Sequence, residues 1–324
     1  MKPKVVLIGG AGYIGNACID FFLKKNLQIL CIDNLIYKQN KPKKKKNFKF
    51  IKLDISENKK ILKKINNDDT VIYLAGLVGD PITDKYKRAS KKINEKNTIK
   101  LLDSLLKLKI KHVVFVSTCS NYGITKKKRA VNEESALNPV SLYAKSKIKV
   151  ENFLKKKSKN YSEKITILRF ATAFGFSSRM RFDLTVNQFV MEILTKGKIE
   201  IYDADTWRPY CHVKDFANAI YRVINIRRNN LFEIYNIGSN KNNYTKRMLI
   251  KKISKYIKTD KVNFVNKSKD YRNYKVDFNK MKKELNFEPK YSIEYGIIEI
   301  KNFLKKTLKG IKLNNFNSFG NHNI

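Results

Sequence analysis

Gly9-Gly10-Ala11-Gly12-Tyr13-Ile14-Gly15 stands immediately behind the apolar run Val5-Val6-Leu7-Ile8. A β-branched strand thus runs into a glycine turn, and the turn opens an amphipathic stretch over residues 12–24. Glycines at the first, fourth and seventh places of such a turn let backbone amides approach a pyrophosphate at a helix N-terminus. The triplet alone is a weak signal, because tight strand-to-helix turns also use glycine. Its place behind the first strand gives it meaning. A second apolar run, residues 28–32, ends at Asp33, 18 residues past Gly15, where a carboxylate accepts hydrogen bonds from an adenosine ribose and repels a 2′-phosphate. Together they predict a bound dinucleotide and favour NAD over NADP; Lys38 and the Lys-rich run at 41–46 are the features that pull the other way.

Outward from this turn, short β-branched runs alternate with longer amphipathic stretches, the pattern of a parallel sheet covered by helices on both faces. Strands are predicted at 5–8, 28–32, 48–53, 71–74, 112–117, 165–170 and 233–237, and helices at 12–24, 83–108, 141–157, 183–196 and 213–226, with two more in the tail. The fold class is therefore α/β, a doubly wound parallel sheet formed by residues 1–170 plus about 213–237. A smaller substrate lobe is expected from 171–212 and 238–324. No internal repeat or Gly/Ser linker interrupts the chain.

Of the 324 residues, 30% are charged and 42% hydrophobic, and 69 Lys+Arg against 28 Asp+Glu leave a formal charge of +41. No apolar run is long enough to span a membrane, so membrane insertion is not expected. The charge invites a nucleic-acid reading. Yet only 11 of the 69 basic residues are Arg, the better bidentate reader of phosphate and guanine, and the Lys residues are spread along the chain. They read as solvated faces, with no specific nucleic acid as partner. Cys18, Cys31, Cys119 and Cys211 form no CxxC pair and have no His at ligand spacing, so no metal is expected. They read as reduced thiols of a cytoplasmic protein, and Met1-Lys2-Pro3-Lys4 leads straight into a strand without the pattern of a signal peptide.

The glycine spacing, Asp33-Asn34-Leu35, Asp54-Ile55 after the third strand and Leu74-Ala75-Gly76 after the fourth resemble the extended short-chain dehydrogenase/reductase family, and its nucleotide-sugar branch along most of the chain. The resemblance implies a Rossmann-type fold and a cofactor set of Gly9, Gly12, Tyr13, Ile14, Gly15, Asp33, Asn34, Asp54, Ile55, Leu74, Ala75 and Gly76. Ile8 departs from the family's usual Thr before the first glycine, a position that shapes the turn.

Two further segments carry the chemistry: Ser117-Thr118-Cys119-Ser120-Asn121-Tyr122-Gly123 at a strand end, and Tyr143-Ala144-Lys145-Ser146-Lys147 about 25 residues later. Tyr-x-x-x-Lys proves nothing by itself here, since 17 Tyr and 58 Lys yield about three by chance and the sequence holds five. Only Tyr143 opens a helical stretch, which places Lys147 one turn on along the same face, and only Tyr143 lies at the family's distance from a Ser/Thr-rich strand end. Oxidising a secondary alcohol by hydride transfer needs a base on the hydroxyl, and an unperturbed tyrosine is too weakly acidic to serve at neutral pH. A cation one turn away favours the phenolate. Thr118, Tyr143 and Lys147 are thus the candidate catalytic set, with Tyr143 and Lys147 also bordering the cofactor and Thr118 addressing the same substrate oxygen.

The resemblance also implies a nucleoside-diphosphate sugar as substrate. Arg208, in Trp207-Arg208-Pro209-Tyr210-Cys211-His212-Val213-Lys214-Asp215, and Arg272, in Asp270-Tyr271-Arg272-Asn273-Tyr274, match its diphosphate-gripping positions, with a structural salt bridge the competing reading for each. Thr172, in Leu168-Arg169-Phe170-Ala171-Thr172-Ala173-Phe174-Gly175, replaces the family's usual Asn and leaves the sugar open. Cys119, Ser120, Val78, Gly79, Asp80 and Asn187 complete the substrate candidates. For Val78-Gly79-Asp80-Pro81 and Arg179-Met180-Arg181-Phe182-Asp183, substrate contact and plain loop packing are both open; His212 reads as structural.

Reactions in this branch begin by oxidising the sugar, usually at C4. The 4,6-dehydratases carry Asp-Glu after the Thr, where this chain has Cys119 and Ser120; enzymes that epimerise beside the ketone carry a Cys at the position of Ser120. What remains is 4-epimerisation, in surface-polysaccharide precursor synthesis, or a one-way dehydrogenase or 4-ketoreductase reaction. A catalytically silent nucleotide binder is disfavoured by the intact Thr118, Tyr143 and Lys147. The helices over 83–108 and 141–157 resemble those that form a dimer interface in the family, with Leu101, Leu105, Ile148 and Leu154 as the expected seam of a homodimer.

Overall fold

Side chains along the first strand alternate between two apolar layers, Val5 and Leu7 to one and Val6 and Ile8 to the other. Both faces must therefore be covered, which is the condition of a parallel sheet. The computed structural model describes residues 4–43, 45–125, 129–226, 230–265 and 272–307. Met1 to Pro3, Lys44 of the basic run, Asp270 and Tyr271 of the Arg272 motif, and the end of the expected lobe, 308–324, lie outside the described residues.

In chain order the elements are β1 (Val5–Ile8), α1 (Tyr13–Lys24), β2 (Ile29–Asp33), β3 (Phe48–Lys52), α2 (Asn58–Leu62), β4 (Thr70–Tyr73), α3 (Asp80–Lys85), α4 (Lys87–Lys91), α5 (Thr98–Lys107), β5 (His112–Thr118), α6 (Leu142–Ser158) and β6 (Lys164–Phe170). There follow β7 (Thr172–Phe174), α7 (Thr185–Lys196), β8 (Lys198–Tyr202), β9 (Trp207–His212), α8 (Val213–Asn225), β10 (Phe232–Ile237), β11 (Asn243–Thr245), α9 (Lys246–Ile253), β12 (Lys261–Val265), α10 (Asn279–Leu285) and α11 (Ile293–Thr307). Seven parallel strands form the central sheet in the order β10-β6-β5-β4-β1-β2-β3. The order reverses direction between β1 and β4, the switch point at whose carboxyl edge ligands bind in such sheets. Helices α1 and α8 cover one face through Phe22, Phe216 and Ile220, and α5 and α6 the other through Leu101, Leu105, Val150 and Leu154. Beyond β6, β7 and β9 pair in parallel and β9 takes β11 antiparallel, while β8 pairs with β12. These short strands are additional to the predicted set.

Two expectations need correction. The helix expected over 83–108 is broken. At Tyr86 the backbone leaves helical space (φ −115°, ψ 55°). From Lys92 to Asn97 the helix then widens to a π-turn, with the Thr98 hydroxyl donating to Ile93 O at 2.8 Å. The widening accommodates Asn94, whose side chain accepts from Leu77 N (2.7 Å) and donates to Leu77 O (2.9 Å), fixing the loop that leaves β4. Three of the four residues expected in a dimer seam, Leu101, Leu105 and Leu154, are not available for one, because they are wholly buried under the sheet of their own chain, and only Ile148 is half-buried. On the outside, Lys149 of α6 pairs with Glu95 of the π-turn, and Lys157 of α6 with Asp103 of α5.

Candidate active site

A cavity of about 580 Å3 opens at the carboxyl edge of the sheet. Its floor is the glycine turn. Gly9 has φ +82°, and a Cβ there would stand 2.5 Å from the Ala75 backbone, so close packing of β1 on the β4 loop explains that glycine. Gly12 differs: it caps α1, and a Cβ on it would meet the protein only at an ordinary 3.4 Å, from Gly9 O. Its bareness faces the cavity, as a cradle for a pyrophosphate requires. At the end of β2, Asp33 accepts from Ala11 N at 3.0 Å with one carboxylate oxygen and from Leu35 N at 2.8 Å with the other. Each oxygen keeps lone-pair capacity for a ribose hydroxyl. Asp54 is held by Asn34 Nδ2 at 2.6 Å and by Ser56. Ile55, Leu74, Ala75 and Gly76 complete this wall, and Tyr13, Ile14 and Gly15 line the floor beside Gly9 and Gly12. The residues present fit a dinucleotide.

The chemical wall comes from β5 and α6. Ser141 caps α6, its hydroxyl accepting from Ala144 N at 3.2 Å, so the helix starts beside the strand end and presents Tyr143 and Lys147 one turn apart. Lys147 is buried, donates from Nζ to Val116 O at 2.8 Å, and lies 4.6 Å from the Phe115 ring centroid and 5.8 Å from that of Tyr143. Burial pulls its ammonium down to about 8, against the pull of Glu151 one turn further on. Burial raises the Tyr143 phenol, with Arg181 opposing and Asp80 adding to the rise. Thr118 Oγ1 accepts from Ser120 N at 3.1 Å, which leaves its own proton to donate into the cavity.

The third wall carries cations. Arg272 pairs with Asp80 at 3.1 Å and donates to Ser120 Oγ at 3.3 Å; Arg208 donates to Trp207 O at 2.7 Å and to Arg272 O, and lies 5.3 Å from the Tyr274 ring centroid. Thr172, Val78 and Gly79 also line the cavity. Two expected substrate residues do not. Cys119 turns inward at the start of a 3-10 turn and donates to Arg169 O at 3.2 Å. The Asn187 amide is wholly enclosed, accepting from Gly175 N at 3.0 Å and donating to Arg181 O at 2.9 Å. His212 lies against Glu299 Oε2 at 2.9 Å. Residues that sequence reasoning missed or left open also reach the cavity: Tyr37, Arg179, Arg181, Gln188, Glu192 and Lys246. Tyr37, Arg179 and Arg181 sit on loops, where spacing carries no direction, and Gln188, Glu192 and Lys246 on helices α7 and α9 outside the motifs. Among the described residues, no group of three or more His, Cys, Asp or Glu could hold a metal ion, and no helix is long and apolar enough to cross a membrane.

A seven-stranded parallel sheet with a glycine turn, an acidic β2 end and a Tyr-x-x-x-Lys helix defines a Rossmann-type dinucleotide enzyme. The family described as "NAD dependent epimerase/dehydratase family" matches residues 5–238, and the chain belongs to it. It is an enzyme family that uses NAD. Among relatives, UDP-glucuronate 4-epimerase of Thermodesulfobacterium geofontis is 28% identical, covering 95% of this chain and 98% of its own. Among solved structures, UDP-glucose 4-epimerase of Thermotoga maritima with UDP-glucose superposes at TM-score 0.84 and 25% identity, over 94% of this chain and 100% of its own. dTDP-glucose 4,6-dehydratase of Bacillus anthracis in complex with NAD gives 0.80 and 25%, over 94% and 97%.

Proposed function

We propose that the protein is an NAD-dependent nucleotide-sugar 4-epimerase that works by transient oxidation of the sugar at C4. The observation that carries this reading is the convergence of Thr118, Tyr143 and Lys147 on one cavity with Gly12 and Asp33 in its cofactor walls and Arg208 and Arg272 in its cationic wall. NAD, when bound, supplies the hydride acceptor. Tyr143 takes the proton of the C4 hydroxyl, Lys147 places positive charge beside the phenolate, and Thr118 donates to the same oxygen as it becomes a carbonyl. Arg208 and Arg272 hold the diphosphate while the keto sugar turns over and receives the hydride on its other face. Cys119 and Ser120, where dehydratases resembling this chain carry an acid pair, supply no proton for a C6 hydroxyl. A homodimer, a cytoplasmic setting that suits four buried thiols, and a place in surface-polysaccharide precursor synthesis belong to the same reading.

The test uses a nucleotide sugar deuterated at C4. Epimerisation predicts that the label stays at C4 of the product and that little solvent deuterium enters C3 or C5. Label found on released nicotinamide makes the protein a dehydrogenase and defeats the proposal. Tyr143→Phe keeps the ring and removes the proton acceptor, so turnover should fall by roughly two to four orders of magnitude with NAD still bound. A loss of only a few fold removes Tyr143 from the role.

A further inference from the structure

The loop between β7 and α7 crosses the dinucleotide cleft and is tied down on both sides. On the near side it is fastened to the first turn of α1: the Tyr13 hydroxyl donates to Gly175 O at 2.5 Å, and Ser177 Oγ donates to Tyr13 O at 2.7 Å. On the far side Arg181 Nη2 donates to Val78 O at 3.3 Å, and the Arg179 guanidinium lies 5.0 Å from the ring centroid of Tyr37. Tyr37 follows Asp33 by four residues and accepts from Val78 N at 3.3 Å, so the β2 and β4 loops are joined beneath the strap. Arg179, Tyr37, Asp33 and Gly12 all line the one cavity.

We infer that Arg179, seated on Tyr37, is a further cofactor-binding residue that closes over the pyrophosphate and keeps the dinucleotide bound through turnover. A pyrophosphate bears two negative charges, whereas Gly9 to Gly15 contains no Lys or Arg and the start of α1 offers only a partial positive charge. The missing counter-charge stands across the cleft. Arg181 is paired with Asp183 at 2.5 Å, and Arg179 lies in the field of the same carboxylate and of Asp33. Arg179 keeps a guanidinium in partly buried surroundings, where burial and the neighbouring Arg181 charge lower it to about 10. Its charge also helps hold the Asp33 carboxylate ionised against burial. An anion between the glycine turn and the strap relieves that repulsion. A planar guanidinium over Tyr37 is also preorganised for two phosphate oxygens, as a Lys ammonium is not.

The inference rests on the family's cofactor and not on the 4-epimerase reading. Its experiment follows release of NADH from the full-length protein by fluorescence during a chase with excess NAD. Arg179→Met should release NADH at least tenfold faster and lose NAD on gel filtration, and Tyr37→Ala should do the same. Tyr37→Phe, which keeps the ring, should stay within a few fold of the parent. Release from the unsubstituted protein should also quicken several-fold between low and high salt, which decides the matter should the variants fold poorly. Unchanged release in Arg179→Met, or release of the parent indifferent to salt, overturns the role. The C4 label experiment reads the reaction and is untouched by either outcome.

Discussion

Lys147 holds a cation in buried surroundings at the edge of the cavity. Its pKa of about 8 lies below the ~10.4 of an exposed lysine. Between those values the unfolded chain binds a proton that the folded chain has released, so this group makes stability rise with pH across that window; below pH 8 its cost is constant. Lys147→Met removes the ammonium and keeps the length of the side chain. At pH 7 it should therefore unfold at higher urea than the parent, with the advantage shrinking toward pH 10, while turnover is lost. Equal urea midpoints at pH 7 would refute the burial argument. A position that weakens the fold and serves the proposed chemistry would be a stability–function trade-off.

Helix α6 is bolted to β5 and β6 through Glu151, four residues beyond Lys147. Its buried carboxylate accepts from Ser117 Oγ at 2.5 Å, Asn121 Nδ2 at 2.7 Å and Arg169 Nη2 at 2.7 Å. The first two donors flank Thr118, so one carboxylate sets the angle between the strand end and the helix that carries Tyr143. Glu151→Ala leaves Arg169 uncompensated in the interior and should cost about 3–5 kcal/mol by urea unfolding; a cost under about 1 kcal/mol would mean that water or relaxation satisfies Arg169. None of this network could be read beforehand, because Glu151 sits in a helix of ordinary polar–apolar pattern and its partners are 18 to 34 residues away. The central strands were legible for the opposite reason: a strand buried on both faces is written as a continuous β-branched run. The Gly12, Asp33, Tyr143 and Lys147 positions were legible because turn geometry and helical spacing fix them locally. The π-turn was not, since residues 92–97 carry no Gly or Pro to announce a break and only the distant Leu77 backbone asks Asn94 to lean out. Cys119 and Asn187 were misplaced because spacing gives a residue's neighbourhood but not which way its side chain turns. Arg179 and Tyr37 meet only through the strap, which no periodicity announces.

At the scale of the molecule the charge dominates. Were every one of the 28 acidic residues paired, 69 − 28 = 41 cations would remain without one. Repulsion among them opposes the compact state, and it is screened beyond a Debye length of about 10 Å at 0.1 M salt. The melting temperature should therefore climb between about 0.01 and 0.5 M sodium chloride, over the range where this length shrinks several-fold. The same field has the reverse effect on encounter. The proposed substrate, a nucleoside-diphosphate sugar, is a dianion drawn to a cationic surface, so if Arg208 and Arg272 grip it as proposed, kcat/KM should fall as salt rises. The kcat, which reports groups already enclosed around Tyr143, should hold. Opposite slopes for stability and kcat/KM are what a Lys coat unrelated to nucleic acid predicts. A kcat that falls in parallel with kcat/KM would place the salt-sensitive contact inside the chemical step, and a melting temperature that falls with salt would mean that specific ion pairs, such as Lys4–Asp69 at 2.6 Å, outweigh the net repulsion.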